Sequence, residues 1–161
     1  MTRRFQVVPV LAVVIGHSKP WQLGTVAGLL MPYAGQDLEM LVRDDNDNLP
    51  ITEGQLRDLI RGVQQPGKCG IQHGDIKYWN TTLRLGGNDD AARLVLIDIG
   101  SVAPNYDGDA KALGTLLLWC LEHASTLRAN KDATTRVEAA AAALDKEDFD
   151  AALEALSGGV V

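Results

Sequence analysis

Cysteine is scarce in this sequence of 161 residues: there are only two, Cys69 and Cys120, far apart and without metal-ligand spacing. A zinc module and a disulfide framework are both excluded as organising devices, which points to a reducing, intracellular and cytoplasmic setting. Basic residues are also in deficit. Fifteen Lys and Arg face 21 Asp and Glu, for a net charge of −6. That balance argues against a general nucleic-acid binder and against a partner of anionic membranes. A long apolar run is missing too. "VVPVLAVVIG" (7–16) is too short to span a bilayer. Arg3 and Arg4 before it give a superficial likeness to a secretory signal, but Pro9 interrupts the run and no small-residue cleavage site follows. Its density of Val and Ile reads as a buried strand. Neither an internal repeat nor a linker long enough to divide two domains is evident.

What is present is ordinary for a soluble domain. Hydrophobic residues make up 46% and charged residues 22%, enough to bury a real core in one domain. Segments 7–16 and 25–35 read as two strands joined by a polar connection around "HSKPWQL". "QDLEMLV" (36–42) reads as a short helix, followed by the loop "RDDNDNLP". Thr52 and Gln55 have the spacing of a capping box, in which each side chain satisfies a free backbone N–H. Leu56, Ile60 and Val63 then recur at helical spacing until "QPGKCG" ends the helix. Segments 81–85 and 93–99 form a hairpin across the turn-rich "GGNDDAA". "KALGTLLLWCLEHA" (111–124) is apolar almost all round, which predicts a helix buried on every side. Ala133, Val137, Ala140, Ala141 and Leu144 make one face of another helix. Asp145 is placed to cap a last one carrying Phe149, Leu153 and Leu156, and the tail "SGGVV" reads as frayed. The fold class is α+β.

One stretch stands apart. "HGDIKYWN" (73–80) places an acid, a lysine and an asparagine within six positions. Alone, Asp-x-x-x-x-Asn is turn chemistry, because both side chains hydrogen-bond their own backbone. By the same plain reading His73 is a packed structural histidine, Tyr78 and Trp79 cover apolar surface, and Cys120 is inert core.

The surroundings add to the motif. "DIG" (98–100) ends the second strand of the hairpin, "LLMPYAGQDLEMLV" lies upstream, and Asp109 and Gly114 open the large apolar helix as D-x-x-x-x-G. In this order the four motifs, over residues 5 to about 125, resemble the protein-kinase-like superfamily, with its H-R-D-L-x-x-x-N catalytic loop followed by D-F-G. The resemblance implies a mostly helical C-terminal lobe (36–161) with a remnant of N-terminal-lobe strands and the hinge (1–35). It implies ATP and magnesium as cofactors and a protein or small-molecule hydroxyl acceptor, with no nucleic acid or membrane as partner. Asp75 would accept the proton of the attacking hydroxyl, and Lys77 would lay positive charge on the transferring phosphate. Asn80 and Asp98 would ligate magnesium, a hard ion that needs only one or two protein side chains. The hinge at Met31, Pro32, Tyr33 and Ala34 would read the adenine edge, and Asp37 would accept from the ribose. Asp109 would be structural, accepting backbone N–H groups of the catalytic loop.

There are departures from the pattern. No G-x-G-x-x-G precedes residue 35, and Lys19, the only lysine before Lys68, lies in the turn-like "HSKP". The resemblance thus implies a chain opening at about the fourth strand of the small lobe, whose ribbon has unpaired edges. Asp98 and Asp109 are too close in sequence for a long activation segment, there is no A-P-E, and Gly74 replaces the arginine that reads a phosphorylated loop. These features look more like aminoglycoside and choline kinases or small atypical protein kinases. Two further readings stand beside the enzyme: a pseudokinase acting as a binding module, and an unrelated α+β domain with coincidental motifs.

Overall fold

In the computed structural model, which describes residues 11–16, 25–44, 48–84, 92–99 and 102–158, helices and two small antiparallel sheets combine in an α+β arrangement. The connection around "HSKPWQL" with Lys19, the turn 85–91, Gly100 and the tail 159–161 lie outside the described residues, as do positions 7–10 of the first expected strand.

Strand β1 (Ala12–Gly16) pairs antiparallel with β2 (Thr25–Leu30). The expectation of a buried strand is corrected here. Val13, Val14 and Ile15 are 51%, 52% and 47% exposed, and Val26 is 66% exposed. Successive strand residues point to opposite faces, so β1 is bare on both. The physical reason is topological: β1 and β2 form a sheet of their own, separate from the sheet on which the helices pack. β2 also stops five residues short of the expected 35, and 31–35 is irregular.

The second sheet positions the site. Its order is β3 (Gln36–Asp37), β4 (Thr81–Arg84), β5 (Arg93–Leu96), all antiparallel. Gln36 and Asp37, expected in the helix, instead pair with Leu83 and Thr82, and helix α1 (Leu38–Asp44) begins after them. Gly35 makes that possible. Its φ is +103°, and a Cβ there would sit 2.4 Å from the Leu83 carbonyl oxygen, so only glycine lets the incoming chain lie this close to β4. β5 ends at Leu96 rather than 99, because Asp98 adopts a left-handed φ of +61° that no strand continues.

Helix α2 (Glu53–Gly67) starts as the capping box predicts. The Thr52 hydroxyl accepts from the Gln55 N–H at 3.3 Å, and the Gln55 side chain accepts from the Thr52 N–H at 2.8 Å. Leu56, Leu59, Ile60 and Val63 form its buried face. Helix α3 (Asp109–His123) packs against α5 (Lys131–Asp145), where Gly114 lies so close to the Ala141 carbonyl that a Cβ would approach it to 3.1 Å. The expected α5 face, Ala133, Val137, Ala140, Ala141 and Leu144, is the buried one. Each leucine buried completely in this core, such as Leu113, Leu117 and Leu144, contributes roughly 1.5–3 kcal/mol.

Three helix expectations are corrected. α3 is not buried all round: Lys111, Thr115, Leu118 and Glu122 recur at spacings of four and three and line an exposed stripe. A short helix, α4 (Ser125–Arg128), follows α3 and carries no capping side chain that the sequence could have advertised. The last helix, α6 (Phe149–Ala155), is capped by Asp148, whose carboxylate accepts from the Ala151 N–H at 2.9 Å. Asp145 is still inside α5, and Glu147 at φ +61° turns the chain before a new helix can begin.

Arg136 of α5 clamps Glu53 at the start of α2 with two hydrogen bonds, of 2.7 and 2.8 Å. These bonds lower the Glu53 carboxyl pKa below its ordinary 4.5, against a smaller opposing effect of burial. A lowered carboxylate pKa means the pair stabilises the fold above the unfolded-state pKa and loses that contribution as pH falls through the folded one. Glu53→Gln is therefore expected to lower the melting temperature at pH 7, and the gap from the native chain should narrow as pH falls from the ordinary glutamate range through the lowered folded-state pKa. A gap that persists unchanged at low pH would rule out the charge pair as its cause. Both cysteines are free thiols. Burial pushes the Cys120 pKa up to about 12, so this thiol is inert at neutral pH. Among the described residues no helix is long and apolar enough to cross a membrane.

Candidate phosphotransfer site

The loop 71–80 leaves α2, makes a single 3₁₀ turn at Tyr78–Asn80, and runs directly into β4. Two groups meet on one carboxylate within it. The Lys77 Nζ lies 2.6 Å from Asp75 Oδ2, and the Asn80 side-chain N–H₂ donates to the same oxygen at 2.8 Å and to the Asp75 carbonyl at 3.0 Å. Among the described residues, Asp75 Oδ1 and Asn80 Oδ1 have no hydrogen-bond partner. The two ions of the Lys77–Asp75 pair are about a quarter exposed (29% and 26%), so solvent screens the attraction less than at an open surface.

The small sheet brings Asp98 alongside. The Ile97 N–H donates to the Asn80 carbonyl at 2.9 Å, extending the β4–β5 ladder by one rung and placing Asp98 immediately beyond it. The left-handed turn at Asp98 costs less for aspartate than for most residues, because a short polar side chain tolerates that region. His73 links the acids. It is 6% exposed, its Nδ1 accepts from the Asp75 N–H at 3.4 Å, and burial lowers its pKa while the charges of Asp109, Asp75 and Asp98 pull the other way. The Ile97 backbone also draws that pKa upward. His73 Nε2 has no partner among the described residues. The histidine is buried beside Asp75 and Asp109, to which its ring and its backbone N–H are respectively bonded.

Asp109 anchors the loop from α3. Its Oδ2 accepts from the His73 N–H at 2.8 Å and its Oδ1 from the Gly74 N–H at 3.1 Å. Tyr106 completes this anchor and was not legible in the sequence. Its hydroxyl donates to Asp109 Oδ1 at 2.6 Å and accepts from the Ile76 N–H at 3.4 Å. Burial, then the hydrogen bond to Asp109, raises the phenol's pKa well above its ordinary value, so it remains a donor. A tyrosine three residues before the aspartate was the only signal.

Gly74 explains the missing arginine of the loop motif. It is buried with φ +84°, and a Cβ would press on Val102 at 3.2–3.5 Å. The Gly74 carbonyl also accepts from Ala103 at 3.0 Å. Val102 and Ala103 therefore pack directly onto the loop, where a longer side chain at Gly74 would hold them off.

The hinge residues lie over β4. The Thr82 hydroxyl donates to the Ala34 carbonyl at 3.0 Å. Pro32 has no N–H. Met31 and Tyr33 have exposed side chains, 41% and 81%. Asp37 Oδ1 is committed to the start of α1, accepting from the Met40 N–H at 2.9 Å.

The donor set fits magnesium only in the company of a nucleotide. Among the described residues no three His, Cys, Asp or Glu side chains cluster as a metal cage. Asp98 with the free amide oxygen of Asn80 offers two hard oxygens, as suits an ion that keeps its waters and binds substrate phosphates. A separate cleft of about 630 Å³ lies between the α2 end, the α3 start and the α5–α6 turn, and none of Asp75, Lys77, Asn80 and Asp98 lines it. Compared with known proteins, the sequence matches no family model and no curated protein.

Proposed function

We propose that this chain is a phosphotransferase of the protein-kinase-like superfamily, moving the γ-phosphate of ATP to a hydroxyl acceptor. The observation that carries this reading is the convergence of Lys77 and Asn80 on Asp75 Oδ2, with Asp98 beside Asn80 across one backbone hydrogen bond. Turn chemistry alone explains an Asp–Asn bond, but not a lysine on the same carboxylate oxygen. The element order supports it too: a strand ribbon, a connection over β4, two helices, the loop, a pair of antiparallel strands, then the large helix whose first residue holds the loop.

Phosphoryl transfer asks the protein mainly for positioning and charge. Asp75 Oδ2 is occupied by Lys77 and Asn80, so Oδ1 is the oxygen for the acceptor's hydroxyl proton. As that proton moves to Asp75, the acceptor oxygen bonds the γ-phosphorus and the bond from phosphorus to the β–γ bridging oxygen breaks, releasing ADP. Lys77 spreads positive charge over the transferring group. Asn80 and Asp98 would hold magnesium, which when bound neutralises charge on the phosphates. Tyr33 and Ala34 would face the base and Asp37 the ribose.

The second reading, a binding module without catalysis, draws on the sequence: no glycine-rich loop precedes residue 35. A thermal-shift titration with ATP, with and without magnesium, separates the two. The expected result is a small rise in melting temperature that requires magnesium, because loop amides and a strand lysine that hold phosphates elsewhere in the superfamily have no counterpart before residue 35. No shift at all favours the binding module. A tight, metal-independent complex contradicts the roles given to Asn80 and Asp98.

A further inference from the structure

We propose that Trp79 is a positioning residue for Lys77, held in register by a column of aromatic rings rooted in α3; the proposal rests on the phosphotransfer reading for its catalytic meaning. The Lys77 ammonium lies 4.5 Å from the centroid of the Trp79 ring, on the side chain that also pairs with Asp75 at 2.6 Å. Trp79 stands edge-on to Tyr78, with centroids 4.6 Å apart and planes at 90°. Tyr78 lies flat on Trp119 at 4.6 Å and 10°, and Trp119 tilts over His123 at 4.4 Å. Trp119 and His123 belong to α3, the helix that also supplies Asp109. The Trp79–Tyr78 and Tyr78–Trp119 steps have the separations and angles at which aromatic pairs attract. One helix therefore fixes both ends of the loop, its backbone through Asp109 and its lysine through the rings.

The ring does what the carboxylate cannot. Lysine is a point charge on a flexible four-carbon stem, and an ion pair alone localises it poorly. Asp75 attracts it only while ionised. When Asp75 takes the acceptor's proton its charge is lost, at the moment the transferring group most needs the ammonium nearby. A ring quadrupole does not titrate, so Trp79 still attracts the cation through that step. Trp79 is 43% exposed, so the core does not depend on it.

The test uses the full chain with Trp79→Leu, which keeps apolar bulk, Trp79→Phe, which keeps a ring, and each combined with Lys77→Met. In nucleotide-free melting, Trp79→Leu should cost less in the Lys77→Met background than in the native one, a coupling of about 2–4 °C, and Trp79→Phe should retain most of it. In transfer assays with magnesium and ATP, Trp79→Leu should lower kcat about ten-fold with little change in KM for ATP. Trp79→Phe should restore most of the rate, and Lys77→Met should abolish the difference between them. Equal losses in both backgrounds, in melting and in rate, would overturn the proposal. If the native chain transfers no phosphate, the phosphotransfer reading fails by itself, and the melting cycle still decides whether the ring holds the lysine.

Discussion

Asp75→Asn is expected to reduce phosphate transfer by about 10²–10⁴-fold, the range that loss of a positioned general base commonly costs, while the melting temperature falls by no more than about 4 °C. The substitution keeps the side-chain volume and keeps an oxygen for the Asn80 N–H₂, which now donates at 2.8 Å. It removes the charge that pairs with Lys77. That pair is partly solvated on both sides, and ion pairs with this much access to water contribute up to about 1 kcal/mol. On a chain of this size that is roughly 2–4 °C of melting temperature. The proton acceptor, by contrast, is lost outright, since an amide cannot take a proton at neutral pH. Lys77, Asn80 and Asp98 stay in place, so magnesium-dependent binding of ATP should survive. Measuring transfer, nucleotide-induced thermal shift and melting on one preparation separates the roles. Full activity in Asp75→Asn would reduce the loop to turn chemistry, and a collapse of melting would make its carboxylate structural.

The sequence made some of this legible and concealed the rest for physical reasons. Local, one-dimensional signals came through: the Thr52–Gln55 capping box, the Ala133-to-Leu144 face of α5, the hairpin, and a loop bearing Asp75, Lys77 and Asn80 together. Each depends on residues a few positions apart. What failed depends on residues far apart in the chain. Gln36 and Asp37 read as helical, yet a distant strand recruits them through Leu83 and Thr82, and β pairing overrides weak local propensity. Helix α3 read as buried on all sides because its composition is apolar. Whether Leu118 meets a neighbour depends on where other elements pack, and it faces outward at 47% exposure. The same holds for β1, whose Val and Ile signalled strand correctly and burial wrongly. At the site, Asp75, Lys77 and Asn80 could be read because six residues contain them. The bond from Ile97, the neighbour of Asp98, to the Asn80 carbonyl links residues seventeen positions apart, and Tyr106 reaches Ile76 across thirty positions. Gly74 was legible as a departure from the motif. Its cause, Val102 pressed against a residue at positive φ, was not.

Asp109→Ala should act on the fold first and on activity only through it. One carboxylate accepts three hydrogen bonds, from the His73 N–H, the Gly74 N–H and the Tyr106 hydroxyl, at 2.8, 3.1 and 2.6 Å. His73 and Gly74 are buried, so their N–H groups cannot turn to water when the acceptor is removed. An unsatisfied buried donor costs about 1–3 kcal/mol, and two of them place the loss at roughly 2–6 kcal/mol by that same measure. The melting temperature should fall by about 4–24 °C, taking 2–4 °C per kcal/mol for a chain of this length. Asp109→Asn keeps one acceptor oxygen and should fall between the native chain and the alanine variant. Tyr106→Phe, which removes a single hydroxyl, should cost less than either. Transfer by Asp109→Ala should drop even at temperatures where the chain is still folded, because Gly74 and Asp75 are adjacent and the loop that aims Asp75 has lost its support. The reciprocal pattern decides the assignment: a stable Asp109→Ala chain beside an unfolded Asp75→Asn chain would exchange the two roles, making Asp75 the strut and leaving the site without its base.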